Sequence, residues 1–351
     1  MIHKIHIQGY KTLQGCAVEL GKLNVLIGEN MSGKTNFLKS LKFLQQVAKE
    51  DNIEYGLLSE FRQSSSGSLI FYLEVEDAIY ALSHIQVSLT DDITKNLITP
   101  TYTGEIRYKS NPDSRLKASR YVIESMLKDG LFFDNVHTDS NALIRQPQTV
   151  APFNYLSSNG SNLTNILLRY FRDDAFRNEL RKIMKYVNPD FLDIYVEPVA
   201  GNYVNLTWKE KYLSRDLYAS DLSDGTLRLL CLCAILLPNA VVPPPKLICI
   251  DEPEIGLYPR KVFPLLVDLI KAKAEESQII ISTHSPELLN HFQLDDVIVA
   301  VREEGKTRFE RPKNNESLHA LLQRYEFSMS DLWMSGKFDD AVSNPSSLSA
   351  T

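Results

Sequence analysis

The sequence has no apolar run long enough to cross a membrane. Its longest near-continuous apolar stretch covers residues 229–237, whereas a transmembrane helix needs about 20 such residues. The first residues alternate between apolar and polar from position 2 to position 7, without the apolar core of a signal peptide. We therefore expect a cytoplasmic protein that makes no contact with a membrane.

The sequence has few cysteines and no excess of positive charge. The 351 residues include four cysteines, none with the spacing of a disulfide framework or a zinc site. The 38 Lys and Arg against 44 Asp and Glu give a net charge of −6, which disfavours a dedicated nucleic-acid binder unless the positive residues cluster. The composition, 44% apolar and 23% charged, is that of a globular protein large enough for two domains of about 150 residues.

Apolar patterning predicts an α/β fold. Buried strands are expected at 22–27, 246–250 and 278–282, because these short runs are apolar on both faces and are separated by helical patterns. Such strands form a parallel or mixed sheet. Alternating residues between 67 and 108, including a strand at 79–82, predict an antiparallel β subdomain.

Residues 28–35 match the phosphate-binding pattern G-x-x-x-x-G-K-[ST], between a predicted strand and a predicted helix. A phosphate group needs a loop whose backbone N–H groups turn inward, a helix N-terminus aimed at the anion and a lysine across the β- and γ-phosphates. Glycine is required where a Cβ would clash. The expected nucleotide contacts are Gly28, Glu29, Asn30, Met31, Ser32, Gly33, Lys34, Thr35 and Asn36.

Two acids end the apolar strand at 246–250. At the edge of a sheet beside a phosphate loop, Asp251 would reach Mg²⁺ directly or through water. Glu252 points elsewhere and could polarise an attacking water. Without the phosphate loop, two solvated acids would be an equal explanation.

A third motif is Leu-Ser-Asp-Gly-Thr at 222–226, followed by an apolar helical run. It resembles the Leu-Ser-Gly-Gly-Gln signature of ATP-binding-cassette (ABC) ATPases, in which a helix N-terminus offers a hydroxyl and glycine N–H groups to phosphate. Taken alone, the motif is better explained as an ordinary helix N-cap formed by Ser223 or Asp224.

The motifs occur together in the order of one family. Residues 254–259 resemble the D-loop of ABC ATPases, and 279–284 resemble the strand that carries the switch histidine. Residues 5–13 and 331–336 are similar to the beginning and the end of small bacterial ATPases. The chain resembles the SMC/RecF/OLD-like branch of ABC-type ATPases. Within this branch, it is most similar to the small OLD-like AAA proteins that have no Toprim domain.

The resemblance implies a P-loop NTPase fold of the ABC-ATPase type, with a mixed core sheet, an antiparallel β subdomain and a helical insertion. We expect an N-terminal ATPase part at 1–110, a helical lobe at 111–200, a C-terminal ATPase part at 201–339 and a tail at 340–351. Composition and spacing predict that 115–187 are mainly helical and that the tail is disordered. The long coiled-coil arms of SMC proteins and a nuclease domain after His284 are not expected.

The resemblance also assigns roles. Lys34 contacts phosphates, Thr35 and Asp251 hold Mg²⁺, and Glu252 is the catalytic base. His284 senses the γ-phosphate, and Lys11 lies near the phosphates or the base. The signature residues that reach the ATP of a second subunit are Ser223, Asp224 and Gly225.

The chain departs from the family pattern in two respects. Asp224 stands where the usual signature has glycine, and Thr226 stands where it has glutamine. The glutamine of the Q-loop is not identified, with Gln86, Gln146 and Gln148 as candidates.

These assignments imply a head-to-tail homodimer that encloses two ATP–Mg²⁺ and loosens on hydrolysis. We expect an ATPase that regulates a separately encoded effector, in an anti-phage defence or toxin–antitoxin-like module. The alternative is a RecF-like clamp on duplex DNA; a third interpretation is a scaffold that only binds ATP. Six basic residues keep the clamp in consideration, although a solvated helix face is the favoured explanation for them: Arg169, Arg172, Arg177, Arg181, Lys182 and Lys185.

Overall fold

A computed structural model gives the structure of the chain. It describes residues 1–49, 53–54, 69–76, 83–92, 97–108, 111–117, 123–124, 127, 129–134, 136–312, 315–324 and 327–338. The chain divides into two compact units, a first unit of Met1–Gly130 with Gln278–Thr351 and a second unit of Leu131–Ser277. Among the described residues, no helix combines the length and the apolar character that crossing a membrane requires.

The strands in chain order are β1 (Ile2–Gln8), β2 (Cys16–Glu19), β3 (Leu23–Ile27), β4 (Ile53–Glu54), β5 (Leu69–Val75), β6 (Ser83–Asp92), β7 (Leu97–Tyr108), β8 (Asn111–Lys117), β9 (Leu131–Phe133), β10 (Gln148–Thr149), β11 (Phe191–Pro198), β12 (Tyr203–Glu210), β13 (Leu217–Tyr218), β14 (Leu247–Asp251), β15 (Gln278–Ser282), β16 (Val297–Glu303) and β17 (Lys306–Glu310). The helices are α1 (Lys34–Lys49), α2 (Leu163–Tyr170), α3 (Asp174–Val187), α4 (Asp224–Leu236), α5 (Pro259–Ala274), α6 (Pro286–Leu289), α7 (Glu316–Arg324) and α8 (Met329–Met334). Short 3₁₀ turns cover Leu143–Arg145 and Leu294–Asp296.

The first unit contains the predicted antiparallel subdomain. Its strands follow the order β2-β1-β5-β6-β7-β4, with β8 also paired to β7. In β5, buried and more exposed residues alternate because successive side chains point to opposite faces of the sheet. The subdomain is therefore confirmed, while the strand predicted at 79–82 lies outside the described residues.

The first unit also contains parallel strands that lead to the phosphate loop. Strand β3 pairs in parallel with β15 on one side and with β16 on the other, and β17 runs antiparallel to β16. All residues of β3 and β15 are buried, as expected for strands that are apolar on both faces. The predicted mixed sheet is thus confirmed.

The second unit combines a parallel strand pair, a small antiparallel sheet and most of the long helices. Strand β14 pairs in parallel with β9, and β12 pairs antiparallel with β10, β11 and β13. Helix α3 begins at a full N-cap, where the Asp173 carboxylate accepts from the N–H groups of Ala175 and Phe176.

Part of the segment predicted to be helical is described. Among its described residues, α2 and α3 are the helices longer than one turn, and β9 forms a strand that the sequence did not indicate. The three residues of β9 are apolar and fully buried. A run of three is too short for helical and strand periodicities to be told apart. The predicted tail at 340–351 lies outside the described residues.

Candidate functional site

The phosphate-loop sequence joins the end of β3 to the start of α1, as predicted. The ammonium group of Lys34 lies inside the loop, where it donates to the carbonyl oxygens of Gly28 at 2.7 Å and Glu29 at 2.9 Å. Lys34 is only 3% exposed, whereas Asn30 and Met31 at the loop's tip are exposed. The chain therefore wraps its backbone around one buried cation.

Gly28 and Gly33 cannot be replaced by larger residues, both because of their backbone conformation in the loop and because a neighbouring β-hairpin leaves no space for a side chain. Gly28 has φ +141°, and a Cβ there would lie 2.2 Å from the carbonyl oxygen of Ala300. Gly33 has φ +111°, and its Cβ would lie 2.2 Å from Thr307 Oγ1. Ala300 and Thr307 belong to β16 and β17, so the hairpin packs directly against the loop.

Thr307 fastens the loop to the N-terminal turn. Its buried hydroxyl lies 2.8 Å from the Ser32 carbonyl oxygen and 2.7 Å from Thr12 Oγ1, while its N–H donates to the Thr12 carbonyl at 2.8 Å. Asn36 Nδ2 also donates to Thr12 Oγ1, at 3.2 Å. Sequence patterns did not indicate Thr307, because it lies in a β-hairpin far along the chain and belongs to no motif.

A cavity of about 280 Å³ opens beside the loop in the first unit. It is lined by Thr12, Met31, Gly33, Lys34, Thr35, Asn36, His284 and Arg302. Among these lining residues there are two cationic side chains and no carboxylate, so the cavity has the electrostatic character of an anion site.

His284 and Arg302 reach this cavity from two different strands. Thr283 N donates to the carbonyl of Leu26 at 3.0 Å, which aligns the end of β15 with the end of β3 and sets His284 beside the loop. Arg302 is exposed on β16 and makes no ion pair with any residue of the described chain. His284 was predicted from its motif, whereas Arg302 belongs to no motif and was not predicted.

Lys11 lies in the turn that presents Thr12. Tyr10 and Leu13 exchange backbone hydrogen bonds of 3.3 and 2.7 Å, and Lys11 between them has φ +48°. The cavity is lined by Thr12, whereas Lys11 is not a lining residue. The role of Lys11 near a phosphate or a base stays a prediction.

The carboxylate pair lies in the second unit, at the end of β14. The four residues before Asp251 are buried, while Asp251 and Glu252 are both partly exposed. Glu252 has φ +50°, a left-handed conformation that costs a non-glycine residue about 1–3 kcal/mol. The strand therefore ends at Asp251, and the backbone leaves the extended conformation at Glu252.

The cysteine in the same strand belongs to the core. Burial, followed by the charges of Asp134 and Asp251, raises the pKa of the Cys249 thiol well above its usual value. Burial likewise raises the pKa of Cys233, in α4, to about 12. Both thiols are therefore protonated at neutral pH and are unsuited to nucleophilic chemistry.

The signature-like segment forms the N-terminus of α4. Ser223 is the N-cap, since its Oγ accepts from the N–H of Thr226 at 3.2 Å and lies 2.8 Å from Thr226 Oγ1. Ser223 is exposed, and the side chain of Asp224 is 62% exposed. The capping interpretation is thus correct for Ser223, and the capped end of the helix is open to solvent.

Gly225 packs against the turn that resembles a D-loop. A Cβ on Gly225 would lie 2.5 Å from the carbonyl oxygen of Gly256. Next to this contact, Ile255 and Tyr258 expose large apolar side chains. A glycine is therefore required at 225 by the fold of this unit, whatever else its N–H group binds.

Arg145, which belongs to no sequence motif, holds the signature-like segment in place. Arg145 Nη1 donates to the carbonyls of Leu222 at 2.6 Å and Ala219 at 3.2 Å, and Nε donates to Thr138 at 2.7 Å. Its other terminal nitrogen, Nη2, pairs with the Asp224 carboxylate. The Arg145 side chain is only 10% exposed.

The three candidate Q-loop glutamines all serve local structure. Gln148 donates to the Ser161 carbonyl at 2.6 Å and accepts from Asn165 Nδ2 at 3.0 Å. Gln146 donates to the Asn141 carbonyl. Gln86 lies in the antiparallel sheet and donates to Ser88. None is assigned to a nucleotide.

The basic residues of α2 and α3 are largely engaged within the second unit. Arg177 pairs with Asp174 at 2.6 Å, and Arg181 pairs with Asp193 at 2.7 Å. In the same helix, the ammonium group of Lys182 lies 2.9 Å from a carboxylate oxygen of Glu179, and that of Lys185 donates to two carbonyl oxygens. This pattern is typical of a solvated helix face with internal ion pairs.

Comparisons with known proteins agree with this organisation. The model of the family described as "AAA domain, putative AbiEii toxin, Type IV TA system" matches residues 23–290, which include the phosphate loop, the signature-like segment, the carboxylate pair and His284. No curated protein sequence matches the chain.

Several solved structures share its fold. The SmcHead bound to the C-winged helix domain of ScpA is 15% identical with a TM-score of 0.58, covering 88% of this chain and 97% of that one. The Pyrococcus furiosus Smc head domain with an extended coiled coil, bound to the C-terminal domain of ScpA, is 12% identical with a TM-score of 0.57, covering 92% and 99%. The SMC head domain from Thermotoga maritima is 14% identical with a TM-score of 0.50, covering 88% and 98%. The predicted resemblance to SMC-like ABC-type ATPases and the predicted fold class are confirmed.

Proposed function

The chain belongs to the family of AAA-domain proteins described as putative AbiEii toxins of type IV toxin–antitoxin systems, and we propose that it binds ATP and hydrolyses it to ADP and phosphate. The observation that carries this proposal is the phosphate loop closed around the buried Lys34, beside a cavity lined by cationic and neutral polar groups. The acceptors of the ammonium group include the carbonyl oxygens of Gly28 and Glu29 and the hydroxyl of Ser32, and we expect phosphate oxygens to compete with them as stronger, charged acceptors.

We also propose that Mg²⁺ binds together with the nucleotide, since this ion prefers a few hard oxygen ligands and retains several waters and substrate phosphates. Thr35 supplies a partly exposed hydroxyl that lines the cavity, and Asp251 supplies a partly exposed carboxylate at the end of a buried strand. When bound, the ion would neutralise charge on the transferred phosphoryl group.

We assign two further roles. Glu252 acts as the general base that takes a proton from the attacking water, and its left-handed backbone is the kind of local strain found at functional positions. The imidazole of His284, on the rim of the cavity, hydrogen-bonds the terminal phosphate.

The proposed assembly is a homodimer that encloses two ATP molecules. The N-terminus of α4 presents an exposed hydroxyl from Ser223 and backbone N–H groups from Asp224 and Gly225. A helix N-terminus of this kind attracts anions. In a head-to-tail pair, this end of one copy would contact the terminal phosphate held by the phosphate loop of the other, and hydrolysis would weaken the pair.

For the biological role, we propose regulation of a separately encoded effector in a toxin–antitoxin-like or defence module; the family description supports the toxin–antitoxin setting. The alternative of a DNA clamp depended on the basic residues of α2 and α3. The ion pairs of Arg177, Arg181 and Lys182 with neighbouring acids leave that surface less positive than its sequence implies.

The test is the variant Glu252→Gln, with Glu275→Gln as control, because Glu275 is exposed and follows directly after the last residue of α5. Loss of the base should slow turnover by about 100-fold or more while ATP affinity is retained. In the presence of ATP, the variant should sediment as a stable dimer. Turnover at the normal rate would refute the base assignment, and a monomer that hydrolyses ATP at full speed would refute the dimer.

A further inference from the structure

The aspartate of the signature-like segment raises an electrostatic problem. Asp224 is the first residue of α4, and its carboxylate is 62% exposed at the helix end that the proposed dimer turns toward a phosphate. A carboxylate and a phosphate brought together at this helix end would repel each other, and the repulsion would grow as water is excluded between the two protein surfaces. The usual glycine at this position brings no such charge.

Arg145 supplies the missing positive charge. Its Nη2 pairs with Asp224 Oδ1, and its Nη1 and Nε are anchored on carbonyl oxygens of the surrounding loops, including that of Leu222 at 2.6 Å. A guanidinium group can hold this position because its donors form a rigid planar fork. The side chain is nine-tenths buried, so the charge approaches Asp224 from behind the exposed helix end.

We propose that Arg145 is a positioning residue that allows the aspartate-containing signature to meet the terminal phosphate of an ATP molecule bound by a second copy of the chain. This inference rests on the proposed function. Arg145 neutralises Asp224 and fixes the carbonyls of the preceding loop, so that Ser223 and the helix N–H groups present a net attractive surface to the phosphate. Arg145 itself does not touch the nucleotide.

A second ion pair in the same loop provides a matched control. Arg215 pairs with Asp221 at 3.2 Å, and the side chains are 66% and 30% exposed. Asp221 lies only three residues before Asp224, yet it is outside the helix end. Replacing Arg215 therefore tests whether the loss of any positive charge near the signature-like segment changes dimer formation as much as the loss of Arg145 does.

The experiment measures ATP-dependent dimer formation by sedimentation in the Glu252→Gln background, together with ATP binding to the monomer. Arg145→Ala should weaken dimer formation about tenfold or more and leave the monomer's ATP affinity unchanged, since Arg145 acts only toward the other copy. Arg215→Ala should change neither quantity by more than about twofold.

The decisive variant is the double substitution Arg145→Ala with Asp224→Gly, which removes both charges and restores the usual glycine. It should recover dimer formation to within about threefold of the parent, whereas a purely structural role for Arg145 would give no recovery. The proposal is also overturned if Arg145→Ala assembles as well as the parent.

Asp224→Asn keeps the test decisive if Arg145→Ala does not fold. With Arg145 intact, this variant loses only the repelling carboxylate charge and should assemble at least as well as the parent; a tenfold loss would overturn the proposal. Failure of the parent itself to form a dimer with ATP would instead count against the proposed function, because that result does not depend on Arg145.

Discussion

The phosphate loop and the signature-like segment are both helix N-termini that follow a loop, yet they are supported in opposite ways. The phosphate loop is enclosed: the β16–β17 hairpin presses on its glycines, Thr307 fastens it to the N-terminal turn, and Lys34 fills its centre. The end of α4 is open, with Ser223 and Asp224 exposed and Arg145 holding it from behind.

This difference suggests different tasks. An enclosed loop with a buried cation has every element of an anion site within one copy of the chain. An exposed helix end has hydrogen-bond donors but no other protein groups around them, so we expect its own affinity for a small anion to be low. A second protein surface is then needed to complete the anion site. Changes in the loop should therefore alter ATP binding, and changes at α4 should alter assembly and turnover.

The largest effect is expected from Lys34→Ala. Removing the ammonium group takes away charge-assisted hydrogen bonds to phosphate and should weaken ATP binding about 100-fold, as measured by titration calorimetry. Lys39→Ala, an exposed position on the same helix, is the control and should bind normally. Retained affinity in the Lys34 variant would show that the loop is not the nucleotide site.

The next effect is expected at the other helix end. The added Cβ in Gly225→Ala meets the Gly256 carbonyl at 2.5 Å and must displace the turn or the helix. Turnover should fall about tenfold, a loss equivalent to about 1.4 kcal/mol of transition-state stabilisation, while ATP affinity is unchanged.

Gly21→Ala is a matched control for this substitution, because the added Cβ would have 3.6 Å to its nearest neighbour. Its turnover and its thermal stability should stay close to those of the unmodified chain. If Gly225→Ala weakens ATP binding to the monomer instead, the separation of tasks between the two helix ends is wrong.

Sequence patterns could predict those parts of the site whose causes are local. The strand, loop and helix around Gly28 and Lys34 are contiguous, and β14 and β15 are continuous apolar runs that end at candidate residues. A short motif with its flanking elements therefore carried enough information to identify the fold class. The same holds for the N-cap at Ser223, whose hydrogen bond reaches only three residues along the chain.

The remaining contacts depend on residues that meet only through tertiary structure. Thr307 lies 275 residues beyond Ser32, and Arg145 lies 77 residues before Leu222. An isolated threonine or arginine has no distinguishing pattern in the sequence. The glycine at 33 was correctly expected to be intolerant of a side chain, but the obstruction from Thr307 could not be foreseen.

A smaller effect is expected from Thr307→Val, which removes the hydroxyl and keeps the shape. The Ser32 carbonyl and Thr12 Oγ1 each lose a contact, and an unsatisfied buried group costs about 1–3 kcal/mol. ATP affinity should fall about fivefold with a lower melting temperature. Thr307→Ser keeps the hydroxyl and should retain most of the ATP affinity and of the melting temperature. If the Val and Ser variants lose the same amount of each, the Thr307 hydroxyl does not brace the phosphate loop.

The smallest effect is expected from Arg302→Ala, and it tests how far the enclosed site extends. Arg302 lines the cavity from an exposed position, so water screens its attraction for phosphate. ATP affinity should weaken about threefold, and less at high salt. The control is Arg308→Ala on the partner strand, where Arg308 pairs with Glu310 at 3.3 Å and does not line the cavity. If the two variants lose the same amount of ATP affinity, Arg302 acts only through the overall positive charge of the hairpin and does not contact phosphate. The enclosed site would then end at Thr12 and Asn36.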